Sequence, residues 1–330
     1  MSERYIAVDN VCAWPILTYL PDGTVVATLF NQPTHGGWEG DVECWASGDE
    51  GRTWQLRGVP APHEPTTNRM NVAAGLTHSG DLVVLAAGWS KRNPPGEYSD
   101  LHDGEVLPTW VCRSTDGGQT WTQSDGVEPQ PAEAERLIPY GDIIQLPDGE
   151  LGVCIYTWAT PDLRDNHFYT SADDGRTWTR RAPIRLGNTN ETAPVILRSG
   201  RLLAAARTFC DQHLELLTSA DQGKTWDSLG PVTLGCQHPA HLLQLHDDRV
   251  LLTYGIRNKG LYGLGARISR DEGKTWEPPR VLVDFQTAGD GGYPGSVQFE
   301  DGTILTAYYA NRTPGHQRYH MGVIRWRTDE

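Results

Sequence analysis

Short apolar runs, each broken by a tight polar turn, recur along the whole chain. Residues 14–30 read WPILTYLPDGTVVATLF and residues 140–157 read YGDIIQLPDGELGVCIYT. Matching stretches lie at 71–88, 192–208, 239–255 and 293–309, which makes six copies. Val, Ile, Leu and aromatic residues flanking an Asp-Gly or Ser-Gly pair predict β-hairpins, because the turn needs the positive φ that Gly supplies. Between the hairpins a second pattern, Ser-x-Asp-x-Gly-x-Thr-Trp, occurs five times. It spans Ser47 to Trp54, Ser114 to Trp121, Ser171 to Trp178, Ser219 to Trp226 and Ser269 to Trp276. The intervals between its aspartates are 67, 57, 48 and 50 residues.

One strand leads into each box and another follows its Trp, so each unit holds four antiparallel strands, the outline of a propeller blade. The expected fold is all-β: a six-bladed β-propeller with four-stranded antiparallel blades, in a single domain over 1–330. The blades fall roughly at 12–60, 68–128, 137–185, 188–232, 236–283 and 290–330. The last unit has no box. Its final strand is expected at Met321–Trp326, with an N-terminal strand at 4–9 added outside it to close the ring and remove a free edge. Within a box, Ser and Asp accept bonds from turn N–H groups, Gly takes the positive φ and Trp buries its ring. The box aspartates therefore read as hairpin staples rather than catalytic acids.

Composition narrows the partners. The chain has 330 residues, 36 Gly and 22 Pro, with a net charge of −14. Nucleic acid and anionic membranes reward clustered Lys and Arg, so neither is expected as a partner. No apolar run approaches the ~20 residues that span a bilayer, and the start lacks the apolar stretch of a secretory signal, so a cytoplasmic location is expected. Six cysteines, none in a CxxC pair, read as buried thiols. No metal and no cofactor are expected.

A propeller gathers ligands at its axis, where the first strand of each unit begins and the second ends. Those positions carry Arg69, Asn71, Tyr140, Asp142, Asn190, Glu191, Arg207, Gln237, His238, Arg257, Asp290 and Tyr293. Arg207 and Arg257 end apolar strands, where a guanidinium is costly to bury unless it meets an anion. Two such groups aimed at one axis predict a ligand with a carboxylate. Among the long loops (31–41, 91–107 and 122–138), the first packs His35, Trp38, Glu39 and Asp41 among three glycines, a composition suited to a binding loop.

Five such boxes on a six-unit β repeat resemble the sialidase (neuraminidase) superfamily, the BNR or Asp-box repeat proteins, over essentially the whole chain. The resemblance implies a Glu opening the fourth blade in an Asn-Glu context, as in Asn190-Glu191. It implies a triad Arg after that blade's second strand, matched by Arg207, and another later in the ring, for which Arg257 stands first and Arg318 second. It implies a catalytic Tyr in a Gly-Tyr context, as in Gly292-Tyr293-Pro294. A neutral phenol can approach an anomeric carbon that bears a carboxylate without charge repulsion, and a neighbouring Glu takes its proton. The family's acid/base is an Asp in the loop after the first blade's second strand, where this chain offers His35, Glu39 and Asp41. One departure stands out. The family's first blade opens with Arg-Ile-Pro, whereas this chain has Ala13-Trp14-Pro15 and only Arg69 nearby to substitute.

These residues predict a sialidase-like exo-glycoside hydrolase acting on a terminal sialic-acid-like or uronic sugar. In it Tyr293 and Glu191 form the nucleophile pair, and Asp41 or His35 is the acid/base. Arg207, Arg257, Arg69, Glu39, Trp38, Tyr140 and His238 bind substrate. Two alternatives remain: a polysaccharide lyase using a Tyr/His pair on uronates, and a non-catalytic carbohydrate-binding propeller.

Overall fold

A computed structural model describes residues 2–12, 14–98, 104–128, 136–158, 164–209 and 212–329. Ala13, Cys210 and parts of the expected loops at 91–107 and 122–138 lie outside them. Regular structure among the described residues is strand throughout. No helix there is long and apolar enough to cross a membrane.

The strands run β1 (Glu3–Asp9), then β2 (Ile16–Tyr19), β3 (Val25–Phe30), β4 (Val42–Ser47) and β5 (Gln55–Ala61). Next come β6 (Thr67–Leu76), β7 (Leu82–Ser90), β8 (Val106–Ser114) and β9 (Thr122–Asp125). They are followed by β10 (Leu137–Gln145), β11 (Leu151–Thr157), β12 (Asn166–Ser171) and β13 (Thr179–Arg185). Then β14 (Thr189–Ile196), β15 (Leu202–Thr208), β16 (Leu214–Ser219) and β17 (Asp227–Pro231) precede β18 (Gln237–Gln244), β19 (Val250–Asn258), β20 (Leu261–Ser269) and β21 (Arg280–Asp284). The chain ends with β22 (Gly291–Gln298), β23 (Ile304–Ala310) and β24 (His320–Trp326).

The result is a propeller-like arrangement of four-stranded antiparallel sheets. Four sheets are separate: β2–β5, β14–β17, β18–β21, and β22–β24 with β1 added antiparallel to β24. Where six separate sheets are expected from the sequence, the remaining eight strands form one sheet, in the order β13-β12-β11-β10-β6-β7-β8-β9. The cause is local. β10 approaches β6 closely enough for a parallel pairing of Gly141 with Ala73 and Asp142 with Ala74. Gly75 permits that approach, since a Cβ there would lie 2.3 Å from the Ile143 carbonyl oxygen. The expected loop at 122–138 begins as β9. First strands touch in a closed circuit, β2 to β6, β10, β14, β18, β22 and back to β2.

Burial follows position within each sheet. β3, β11 and β23 are buried at every residue, which is why they read as unbroken apolar runs rather than alternating ones. The outer strand β9 is exposed throughout. The boxes bind themselves as the sequence suggests. In the first, Ser47 Oγ accepts from Gly51 N at 2.8 Å, Asp49 accepts from Thr53 N at 2.8 Å and from Thr53 Oγ1 at 2.7 Å, and Trp54 Nε1 donates to the Gly51 carbonyl at 2.9 Å. The other four repeat the Ser–Gly, Asp–Thr and Trp–Gly bonds. Partial burial works against the charge of Asp49, but the Thr53 and Ser47 bonds outweigh it and hold the carboxyl down to about 2. A carboxylate so occupied is a turn clasp.

Candidate active site

A cavity of about 280 Å³ opens where the first strands converge. β6 contributes Met70 and Asn71, β10 Tyr140, β14 Asn190 and Glu191, β15 Arg207, and β22 Tyr293. The segments between strands add Trp14, His35, Trp158, Arg164 and Phe209.

At its floor three side chains from three strands meet. Tyr293 Oη donates to Glu191 Oε1 at 2.5 Å. Arg207 Nη1 donates to Glu191 Oε2 at 2.6 Å and to Tyr293 Oη at 3.3 Å. Burial, reinforced by the Glu191 charge, pushes the Tyr293 phenol far above its usual range, so it stays protonated. Burial works against the Arg207 charge, but the Glu191 carboxylate more than compensates and raises its pKa. The group is therefore a neutral phenol hydrogen-bonded to a paired carboxylate. Tyr293 sits at φ 53° and Trp14 at φ 48°, left-handed backbone that costs a non-glycine residue about 1–2 kcal/mol.

Other expected residues divide. Tyr140 lines the cavity, with its hydroxyl directed to the Ala240 carbonyl at 3.3 Å. Arg257 lies behind Tyr293, its guanidinium carbon 5.5 Å from the ring centroid. It donates to His238 Nδ1 at 2.9 Å and to the Gly291 carbonyl at 3.1 Å. His238 is buried, and that burial together with the Arg207 and Arg257 charges holds its pKa down to about 2. It serves as a neutral acceptor for Arg257 rather than as a wall of the cavity.

Arg69 does not reach the cavity either. A register shift between Arg69 and Asn71 in the β6–β7 pair turns Asn71 inward and Arg69 outward. The Arg69 guanidinium carbon lies 3.6 Å from the Trp110 ring centroid and Nη1 donates to the Pro108 carbonyl at 2.7 Å. Arg318 binds Asp9 at the surface. Where the family's first-blade Arg is expected, the Trp14 ring stands edge-on to His35 at 4.9 Å and to Tyr293 at 6.0 Å.

The 31–41 loop splits in the same way. Asp41 accepts from His63 N at 2.8 Å and pairs with His63 Nδ1 at 2.6 Å, while Glu39 accepts from Thr66 N at 2.6 Å. Both carboxylates are committed outside the cavity. Trp38 donates to the Glu97 carbonyl at 2.6 Å and lines a neighbouring groove. His35 does face the cavity, and its Nδ1 meets Asp290 Oδ2 at 2.8 Å. Tyr309 and Tyr319 donate to the same carboxylate at 2.9 and 3.0 Å. Burial opposes the Asp290 charge, but the His35 bond and charge, then Arg257, prevail and hold its pKa well below the usual range.

The sequence offered no motif for Arg164. Its guanidinium carbon lies 3.9 Å from the Trp158 ring centroid and 4.1 Å from that of Phe209, on the cavity wall. Trp158 just beyond the β11 end was the available signal. Cys12, His35 and Asp290 bring possible metal-ligating atoms within 4.8 Å of one another. However, burial and the Asp290 charge push the Cys12 thiol well up, and both Asp290 oxygens already accept hydrogen bonds.

The chain resembles two curated proteins named sialidase. One, from Micromonospora viridifaciens, is 29% identical over 214 residues, covering 58% of this chain and 32% of that protein. The other, from Paraclostridium sordellii, is 27% identical over 213 residues, covering 58% of this chain and 51% of that protein. The aligned region thus spans about a third and about half of their lengths. Among solved structures, a protein of unknown function from Dyadobacter fermentans superposes with a TM-score of 0.83 at 25% identity, over 98% of this chain and 97% of that one. Trypanosoma rangeli sialidase, in complex with the inhibitor DANA, superposes at 0.71 and 18% identity, over 97% and 55%, a likeness of fold alone. The BNR repeat-like domain matches residues 70–306, and the chain belongs to that family, within the sialidase superfamily.

Proposed function

We propose that the chain is a sialidase-like exo-glycoside hydrolase that removes a terminal sugar bearing a carboxylate. The observation that carries this reading is the buried Tyr293–Glu191–Arg207 group, with bonds of 2.5, 2.6 and 3.3 Å on one cavity floor. Tyr293 attacks the anomeric carbon while Glu191 takes its proton, and a covalent glycosyl–tyrosine forms that water then hydrolyses. The neutral phenol meets no repulsion from a substrate carboxylate. That carboxylate is bound by Arg207 and by Arg164, whose aromatic neighbours Trp158 and Phe209 line the sugar's path. Arg257 supports the Tyr293 ring from behind. A volume of about 280 Å³ lies just below the ~300–1,000 Å³ of ligand pockets generally, and suits one terminal residue better than a run of residues.

The closed circuit of first strands supports counting the two halves of the eight-stranded sheet as separate blades, giving one six-bladed domain whose axis carries the site. Release of fluorophore from a methylumbelliferyl sialoside, and from the corresponding uronide, tests the activity. Tyr293→Phe is expected to cut turnover at least a hundredfold with thermal unfolding unchanged. Undiminished turnover removes Tyr293 as the nucleophile. A new ultraviolet absorbance from an unsaturated uronate moves the reading to elimination.

A further inference from the structure

We propose that His35, positioned by Asp290, is the acid that protonates the leaving group, so that the scissile oxygen lies over its imidazole. This rests on the glycosidase reading above and adds the residue and the leaving-group site which that reading lacks. A leaving-group acid has to border two spaces at once, the pocket for the departing sugar's neighbour and the room for what departs. His35 does so. It lines the central cavity and also an aromatic groove formed with Pro33, Trp38, Glu97, Tyr98 and Tyr319. It is the residue common to the linings of both.

Its orientation is set from behind. Nδ1 is tied to Asp290 Oδ2 at 2.8 Å, and Asp290 is itself fixed by the hydroxyls of Tyr309 and Tyr319. The Asp290 carboxylate only accepts, so Nδ1 keeps its proton as the donor and Nε2 is the nitrogen that takes up and gives the second, imidazolium proton; Nε2 makes no hydrogen bond among the described residues. The Trp14 ring, 4.9 Å away and edge-on, holds the imidazole from the side. The carboxylates of the same loop cannot take this role, since Asp41 and Glu39 are occupied by His63 and the Thr66 amide. Tyr98, 85% exposed, offers the groove an unoccupied aromatic face of the kind a leaving sugar stacks on.

The step balances. The bond from the anomeric carbon to the glycosidic oxygen breaks as the bond to Tyr293 Oη forms. The phenolic proton passes to Glu191, and the Nε2 proton of His35 passes to the departing oxygen. In the second half, a water gives its proton to His35 Nε2 as its oxygen replaces Tyr293 at the anomeric carbon, and Glu191 returns the phenolic proton.

The test compares two substrates sharing one sialyl group. Methylumbelliferyl sialoside departs as a phenolate and needs little protonation, whereas sialyl-lactose departs as an alcohol and needs it. His35→Ala and His35→Gln are expected to lower kcat/KM on sialyl-lactose by about a hundredfold or more, and on the fluorogenic substrate by less than about tenfold. Asp290→Asn shifts the same ratio in the same direction, and Tyr98→Ala raises KM for sialyl-lactose with kcat retained. Equal losses on both substrates, or no loss on either, overturn the assignment of His35 while leaving the glycosidase reading in place. A wild-type chain inert toward both substrates overturns that reading and this proposal together.

Discussion

Glu191→Ala leaves a guanidinium buried without its counter-charge. The Arg207 side chain is 17% exposed and that of Glu191 10%, so water screens neither well. With Glu191 gone, Arg207 keeps the Tyr293 hydroxyl at 3.3 Å and the Phe209 ring, whose centroid lies 5.5 Å from its guanidinium carbon, and neither carries a charge. Breaking one half of a buried ion pair costs about 3–5 kcal/mol, and this pair also bonds Tyr293, so a loss of about 3 kcal/mol is expected. Arg207→Ala alone costs somewhat less, because Glu191 retains the Tyr293 hydroxyl at 2.5 Å. The double variant relieves the stranded charge, and its cost falls short of the sum of the two by roughly 2–3 kcal/mol. Urea unfolding at pH 7, followed by the fluorescence of the 12 tryptophans, measures all four corners of the cycle. A coupling under about 0.5 kcal/mol would show that the pair is solvated and that Glu191 is no poised proton acceptor.

Acid should weaken the fold before carboxylates begin to protonate. Burial and neighbouring Arg charges hold His167 down to about 4 and His238 down to about 2, while an unfolded imidazole titrates near 6.5. Both therefore contribute their full share above pH 6.5. Each loses about 1.4 kcal/mol per pH unit below it, His167 until about pH 4 and His238 further down. Unfolding free energies from urea titrations should fall between pH 6.5 and 4.5 with the two contributions added, and His167→Gln should about halve the fall because His238 still contributes, whereas a level profile contradicts neutral burial. Asp221→Ala removes the acceptor for Thr225 and Ser219 in one box and should cost about 1–2 kcal/mol by thermal unfolding, with kcat unchanged. A selective loss of turnover there would give the boxes a catalytic part they lack in this account.

The architecture was legible because its signals are local. A Gly turn between apolar runs, and a Ser-Asp-Gly-Thr-Trp clasp that bonds within itself, need no distant partner to be read. Glu191, Arg207 and Tyr293 were legible for a related reason, each sitting at a fixed place in a repeated unit. The rest depended on geometry that one residue can invert. A shift at Arg69 sends that guanidinium to Trp110 and leaves Asn71 at the cavity. Asp41 and Glu39 looked equivalent to His35 within one loop, and only His63, brought in beyond β5, separates them. Arg164 enters the cavity through a stack that adds Phe209, from beyond β15, to its near neighbour Trp158, and that distant contact has no sequence pattern. The merging of two four-stranded runs into one sheet depends on a two-residue pairing, too short for a pattern to announce.

As the proposed nucleophile, Tyr293 forms a covalent bond to the sugar it releases. Incubation with a fluorinated sialosyl fluoride, which forms the glycosyl–enzyme but hydrolyses slowly, followed by proteolysis and mass spectrometry, reads that bond directly. One sialosyl adduct is expected, located on the peptide containing Tyr293 and absent from Tyr293→Phe. An unmodified chain that still turns over the natural sialoside, or an adduct on any other residue, would contradict it.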